Sequence, residues 1–300
     1  MTEATVLFFQ EMMTRLSAGL SLLPDKPEET PDSTLRALWH AAADTPVSVQ
    51  KAGALPLPVL DATGVTRLQT LIAQRVAGVP LAHLTGRQHF MGLELLAGKE
   101  ALIPRQETEL LGRAALEVLR PLAAGRDEVL VVDVCTGSGN LALALAFHEP
   151  KARVYAADLS TEAVALARRN VRHLDLEHRV ELRAGDLLAP FDETGFHGRV
   201  ELLVCNPPYI SGKKVDTLPG EIIGHEPRLA FDGGPLGIRI LERLMREAPR
   251  FLAAGGFLMF EVGLGQGPAL LRRLAGNKDY TVLKSFTDAA GEIRVILAGR

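Results

Sequence analysis

Cysteine is scarce in this 300-residue chain: Cys135 and Cys205 are the only two, with no CxxC pair and no Cys/His spacing suited to a metal. That scarcity argues against a structural zinc site and fits a reduced, cytoplasmic setting. Long hydrophobic runs are missing too, and none approaches the roughly 18 residues that a membrane span needs. The opening stretch, MTEATVLFFQEMMTRL, lacks the basic and then apolar regions of a secretory signal and reads as an amphipathic helix. There is no basic block, since 33 Lys and Arg are interspersed with 36 Asp and Glu for a net charge of −3. Nucleic acid is therefore not expected as a direct partner. No repeat or low-complexity tract appears. What is present is an average globular composition, 47% hydrophobic and 23% charged, long enough for a main domain and a smaller one.

Residues 1–85 carry helical periodicity, as in TPDSTLRALWHAAAD (30–44) and TGVTRLQTLIAQRVAG (63–78), with Thr34 and Thr63 as candidate caps. Pro24, Pro27 and Pro31 mark a loop between the first two helices. Over 86–105, Phe90, Leu93 and Leu95 precede AGKEA and LIP follows, which predicts two short strands around a glycine turn, a hairpin linker. From 106 to 300, helix 107–125 is followed by strands at 129–134, 153–157, 180–183, 200–205 and 256–262. Helices are expected at 139–148, 160–174 and 236–253. Such alternation predicts a parallel sheet with helices on both faces. The end departs from it, because 280–300 reads as two strands joined by a turn at 288–291, an antiparallel hairpin on the sheet edge.

The stretch VVDVCTGSGNLALALA (131–146) is strand, glycine turn and helix. Its GSGNLA meets the loose dinucleotide pattern, and Asp158 follows about 20 residues on, where an acid holds a ribose hydroxyl. An NAD-dependent oxidoreductase is thus one reading of this motif. Asp133, just before the turn, favours a ligand bearing a cation or amino group, and S-adenosylmethionine carries a sulfonium and an α-ammonium. Asp186, after the third strand, suits an adenine amino group. The donor contacts expected are Asp133, Thr136, Gly137, Gly139, Asp158 and Asp186, with Asn206 at the junction with the acceptor.

CNPPYI (205–210) follows the fourth strand, which neighbours the first in a sheet that reverses order there. Two prolines fix φ and supply no N–H, so the loop offers rigidly aimed oxygens beside an Asn. The Asn206 side-chain oxygen and the Pro207 carbonyl suit the two N–H groups of a planar nitrogen. Tyr209 can cover its face while Pro208 stiffens the loop. Hydrogen bonding and aim toward a sulfonium methyl then carry the rate, with no tuned general base.

The motifs AHLTG (82–86), IPRQETE (103–109), DVCTGSGNLAL (133–143), CNPPYI and HEPRLAFDGG (225–234), in this order, resemble the protein-(glutamine-N5) methyltransferases of the HemK/PrmC family from about residue 63 to the end. The resemblance implies an α/β fold: a seven-stranded, Rossmann-like S-adenosylmethionine-dependent methyltransferase domain ending in an antiparallel hairpin, after a small N-terminal helical domain that recognises the substrate. It implies methylation of the glutamine in the Gly-Gly-Gln motif of a peptide chain release factor. It places that glutamine between Asn206 and Pro207, with Arg105 and Glu109 in a bordering loop, Glu226 and Pro227 on the far side, and Phe90 near the donor. The chain departs from the family pattern at Gln106-Glu107, His225, PLGIRIL and Cys135. Other targets of the same chemistry are a ribosomal-protein glutamine, a small-molecule amide or amine, and, through the shared NPPY, a DNA adenine.

Trp39 and the pair Phe8–Phe9 are expected to be core, His225 to pack, Cys135 and Cys205 to stay free, and Lys213–Lys214 to be solvated. The stretch 211–235 is long and rich in glycine and proline, as a substrate lid would be.

Overall fold

The computed structural model describes residues 3–23 and 25–300, so Pro24 lies outside the described residues. The chain forms two compact units: Met1–Lys99 with Ile103–Arg105 and Pro219–Glu226, and the remainder, Glu100–Leu102, Gln106–Leu218 and Pro227–Arg300.

The first unit contains α1 (Glu3–Gly19), α2 (Pro31–Ala42), α3 (Val49–Ala54), α4 (Ala62–Val76), α5 (Leu81–Thr85) and a hairpin of β1 (Arg87–Phe90) with β2 (Leu93–Leu96). Helix α2 buries Leu35, Leu38, Trp39 and Ala42, three and four apart, which is the stripe of a helix packed on one side. Trp39 is the centre of this core: the Phe8 and Phe9 rings lie 5.7 and 5.8 Å from it, and its Nε1 donates to the Pro58 carbonyl at 2.8 Å. The caps differ from those expected. Thr30 and Asp61, one turn earlier than Thr34 and close before Thr63, accept from Ser33 N and Gly64 N. Thr34 is instead buried inside α2. The hairpin also turns earlier than AGKEA. Its two-residue loop is Met91–Gly92, at φ 48° and 84°, left-handed at both positions and so matched to strand twist.

A buried ionic cluster holds Pro219–Glu226 in this unit. Arg75 donates to Glu29 at 3.0 Å and to Glu221 at 2.8 Å, while Lys26 reaches Glu221 at 2.6 Å. Burial pushes the Glu221 carboxyl up, but Lys26 and Arg75 outweigh it and hold it below its ordinary value; Glu29 is raised, burial there exceeding the help of Lys26 and Arg75. An Arg75→Met variant leaves Glu29 without its ion-pair partner and Glu221 with Lys26 alone in a dry site, and the expected cost is about 3 kcal/mol. Urea unfolding of the variant checks this, and an unchanged midpoint would show that the cluster holds nothing.

In the second unit α6 (Thr108–Ala123) leads to β3 (Val129–Val134), α7 (Asn140–His148), β4 (Ala152–Asp158), α8 (Thr161–His173), β5 (Val180–Ala184) and β6 (Val200–Cys205). Two short helices, α9 (Gly212–Val215) and α10 (Gly220–Ile223, within the first unit), precede α11 (Arg239–Glu247), β7 (Leu252–Glu261), α12 (Gly267–Ala275), β8 (Val282–Thr287) and β9 (Ile293–Gly299). The seven strands run β5-β4-β3-β6-β7-β9-β8. Pairs from β5 to β7 are parallel, whereas β9 is antiparallel to β7 and β8 to β9. Strands β3 and β6 are the central pair, buried on both faces, which is why VLVVDV and VELLVC read as apolar runs.

Three differences from the expected elements appear after β6. The helix expected over 236–253 is only Arg239–Glu247, because Gly237 sits at φ 71° before it and Pro249 turns its end into a 3₁₀ turn. Helix α12 is unforeseen, its signal thinned by Gly263, Gly265 and Gly267. The stretch 211–235 is not one open loop either. It carries α9, α10, a 3₁₀ turn at Arg228–Ala230 and a bridge from Ile210 to Asp232.

Candidate active site

The strand order reverses between β3 and β6, and ligands of open α/β sheets bind outside the carboxyl ends of the strands at such a point. A cleft of about 970 Å³, open mouth included, lies there within the second unit. Gly137, Asp158, Asp186, Asn206 and Pro208 line it, with apolar walls that include Leu159, Leu187 and Ile240.

The loop after β3 turns sharply, with Cys135, Gly137 and Gly139 all at left-handed φ of 58°, 56° and 85°. A Cβ on Gly137 would meet nothing within 4 Å, so its hydrogen faces open space. Asp158 pins this loop: its Oδ2 accepts from Gly137 N at 2.8 Å and its Oδ1 from Ser160 N at 2.9 Å. Burial raises the Asp158 carboxyl and these N–H groups oppose the rise. Asp186 lines the cleft while paired with Arg243 at 2.5 Å.

Asp133, expected to meet the ligand, lies under the loop instead. It is fully buried; Thr136 Oγ1 donates to its Oδ2 at 2.5 Å and Ala142 N at 3.2 Å. Burial pushes its carboxyl up to about 7 against those two hydrogen bonds. Thr136 and Gly139 likewise serve the turn and are not part of the lining.

Across the cleft, Asn206 Nδ2 donates to Thr108 Oγ1 at 3.0 Å, which turns Oδ1 away from Thr108. Pro207, expected to meet the acceptor, is buried and is not part of the cleft lining. Tyr209 does not line the cleft: its hydroxyl donates to Glu261 Oε1 at 2.9 Å, and burial with that carboxylate beside it raises the phenol far above its ordinary value. The loop is clamped. Gln266 Nε2 donates to the Tyr209 carbonyl at 3.0 Å, Gly233 N to the Ile210 carbonyl at 2.8 Å, and Ile210 N to the Phe231 carbonyl at 3.0 Å.

Glu109 lies in the first turn of α6, paired with Arg113 at 2.7 Å, and not in a loop. Arg105 and Glu226 belong to the first unit, where Glu226 Oε1 accepts from Arg105 Nη2 at 2.5 Å and Oε2 from Ile103 N at 2.9 Å. Phe90 is buried in the hairpin. Cys135 and Cys205 are both free thiols, Cys205 buried and Cys135 on the cleft wall. Thr108 and Glu261 went unnoticed in the sequence, although Glu261 carries the signal that marked Asp133 and Asp158: an acid ending an apolar strand. Among the described residues no cluster of His, Cys, Asp or Glu could hold a metal, and no helix is long and apolar enough to cross a membrane.

Comparison with known proteins gives consistent matches. Residues 114–239 match the model of the methyltransferase small domain. The chain is 41% identical over 237 residues to the release factor glutamine methyltransferase of Moorella thermoacetica, covering 78% of this chain and 80% of that one. It is 39% identical over 217 residues to the ribosomal protein uL3 glutamine methyltransferase of Bradyrhizobium diazoefficiens, covering 69% and 65%. Among solved structures, the human Mettl16 catalytic domain in complex with MAT2A 3′UTR hairpin 6 superposes with a TM-score of 0.55 at 13% identity, over 76% of this chain and 81% of that one. At that identity the likeness is one of fold.

Proposed function

The chain belongs to the glutamine methyltransferase family of its release factor relatives, and on that premise we propose that it methylates the side-chain amide nitrogen of the Gly-Gly-Gln glutamine of a peptide chain release factor. One observation carries the reading. Asn206, its amide turned by Thr108, and the Gly137–Asp158 corner line the same cleft.

S-adenosylmethionine fits that cleft and supplies an electrophilic methyl on a sulfonium. The open face of Gly137 lets a ligand approach the backbone, Asp158 has lone pairs left for ribose hydroxyls, and Asp186 is placed for an amino group. Leu159, Leu187 and Ile240 give an apolar wall for a purine. Asp133 and Thr136 act from beneath by holding the turn. On the acceptor side, Asn206 Oδ1 and the Pro207 carbonyl accept the two amide N–H groups, and Pro208 and the Gln266 clamp keep them aimed. Those hydrogen bonds strengthen as the nitrogen becomes cationic, so they favour the transition state over the ground state. The proton leaves to solvent. On this reading the helical first unit recognises the protein substrate, and a release factor as substrate implies a cytoplasmic enzyme.

Asp158→Ala is expected to weaken S-adenosylmethionine binding about 30-fold while turnover at saturating donor falls only a few-fold, since ribose contacts are remote from the methyl. Calorimetric titration checks it; an unchanged dissociation constant would remove Asp158 from the donor site.

The uL3 relative favours a second reading with the same chemistry on a ribosomal-protein glutamine. Parallel assays on a release factor and on uL3 separate the two. The proposal requires a higher kcat/KM on the release factor, and a preference for uL3 would replace it.

A further inference from the structure

We propose that Thr108 and Glu261 are positioning residues for methyl transfer, fixing which end of the Asn206 amide faces the acceptor; the inference rests on the acceptor reading above. The two ends of an amide fill the same space and differ only in hydrogen bonding, the oxygen accepting and the NH₂ donating. An acceptor that presents N–H groups must meet oxygen. If the Asn206 amide turned over, its own N–H groups would face those of the substrate.

Thr108 meets Asn206 Nδ2 at 3.0 Å and is itself buried in the first turn of α6. A hydroxyl both donates and accepts, so Thr108 alone would tolerate either orientation. Glu261 removes the choice. Its carboxylate ends β7, almost wholly buried; Tyr209 donates to Oε1 at 2.9 Å, and Oε2 has no close hydrogen-bond donor. Helix α6 packs against β7, which sets the Thr108 hydroxyl beside this carboxylate as the donor able to turn to it, and that neighbour favours the ionised form. An ionised carboxylate only accepts, so the hydroxyl proton turns to Glu261 and the oxygen of Thr108 is left to accept from Nδ2. The polarity then runs one way, from Asn206 through Thr108 to Glu261, with Oδ1 presented to the substrate.

The groups facing Glu261 set when this holds. Arg294 on β9 lies 3.7 Å from Oε1 and supports the charge. Burial raises the Glu261 carboxyl and the nearby Glu107 adds to it, while Thr108, Tyr209 and Arg294 oppose. Its folded value thus lies above that of an ordinary carboxyl. As pH falls through it, Glu261 gains a proton and becomes a donor, the direction of the chain is lost, and turnover drops.

The test compares Thr108→Val, which keeps the shape and loses the hydroxyl, with Thr108→Ser, which keeps the hydroxyl, and with Glu261→Gln. Expected are a fall in kcat of about 30-fold for T108V and E261Q, in the range that misplacing a reacting group costs, with S-adenosylmethionine affinity within about twofold of wild type. T108S should retain at least about a third of wild-type kcat, since its hydroxyl keeps the bond that sets the amide. The acid limb of the wild-type pH profile should be missing in E261Q. Wild-type turnover in T108V, an equal loss in T108V and T108S, or a parallel loss of donor affinity would each overturn the inference. The wild-type control separates this from the premise: an enzyme that methylates no protein glutamine fails the acceptor reading, whereas an active enzyme indifferent to Thr108 fails only the positioning role.

Discussion

Replacing Asn206 with alanine lowers kcat by about a thousandfold, the upper end of what removal of one aimed hydrogen-bonding group costs, and leaves donor affinity nearly unchanged. The size follows from the geometry. Oδ1 is one of two oxygens expected to hold the acceptor, and its direction is enforced by the bond from Nδ2 to Thr108. Alanine removes the oxygen and leaves Thr108 without its donor, so the glutamine nitrogen loses both its aim and the bond that strengthens as charge develops. Most of the cleft lining, Gly137, Asp158, Leu159, Asp186 and Leu187 included, lies outside CNPPYI, and the change leaves it alone. Single-turnover methylation and titration with S-adenosylmethionine check both halves. A variant within tenfold of wild type would take Asn206 out of the reaction.

Gly237→Ala should nearly abolish activity from a residue that does not line the cleft. Gly237 has φ 71°, and a Cβ there would lie 2.1 Å from the Tyr209 carbonyl oxygen. A left-handed alanine costs about 1–2 kcal/mol by itself. The added clash falls on rigid backbone, so CNPPYI must move or the Gly233–Gly237 turn must open. Gly255 is the control: its φ is 76° and a Cβ there meets nothing within 4 Å. The expectation is a loss of about 1 kcal/mol for Gly255→Ala with activity kept. For Gly237→Ala it is a loss above about 3 kcal/mol together with a fall in kcat of about 100-fold or more, because a clash with backbone adds to the strain. Equal effects of the two substitutions would show that Gly237 matters only for its φ.

Much of this architecture was readable from residue patterns. Strands β3 and β6 have the expected bounds, because strands buried on both faces are continuous apolar runs closed by sharp turns. The terminal hairpin was readable because no crossover helix fits between its strands. Helix α12 was obscured by its glycines, which serve packing here: a Cβ on Gly267 would lie 2.6 Å from Ile293 Cβ on β9. The Met91–Gly92 turn was missed because methionine seldom takes a left-handed φ and does so here under the constraint of a two-residue hairpin.

For the site, sequence order could place motifs at strand ends but could not tell which side chains face a ligand. Asp133 and Asp158 look alike in sequence. One ends buried beneath the turn and the other on the cleft wall, because the Asp133 side chain is turned under the start of α7, where Ala142 N donates to it. Thr108 was overshadowed by its charged neighbours in IPRQETE, and only the meeting of α6 with the end of β6 reveals it.

The most direct measurement incubates the enzyme with isotopically labelled S-adenosylmethionine and a release factor, then maps the label by peptide mass spectrometry. The account predicts one methyl, on the side-chain nitrogen of the Gly-Gly-Gln glutamine, and none with the Asn206→Ala enzyme. Label on any other residue, or label undiminished by that substitution, would contradict it.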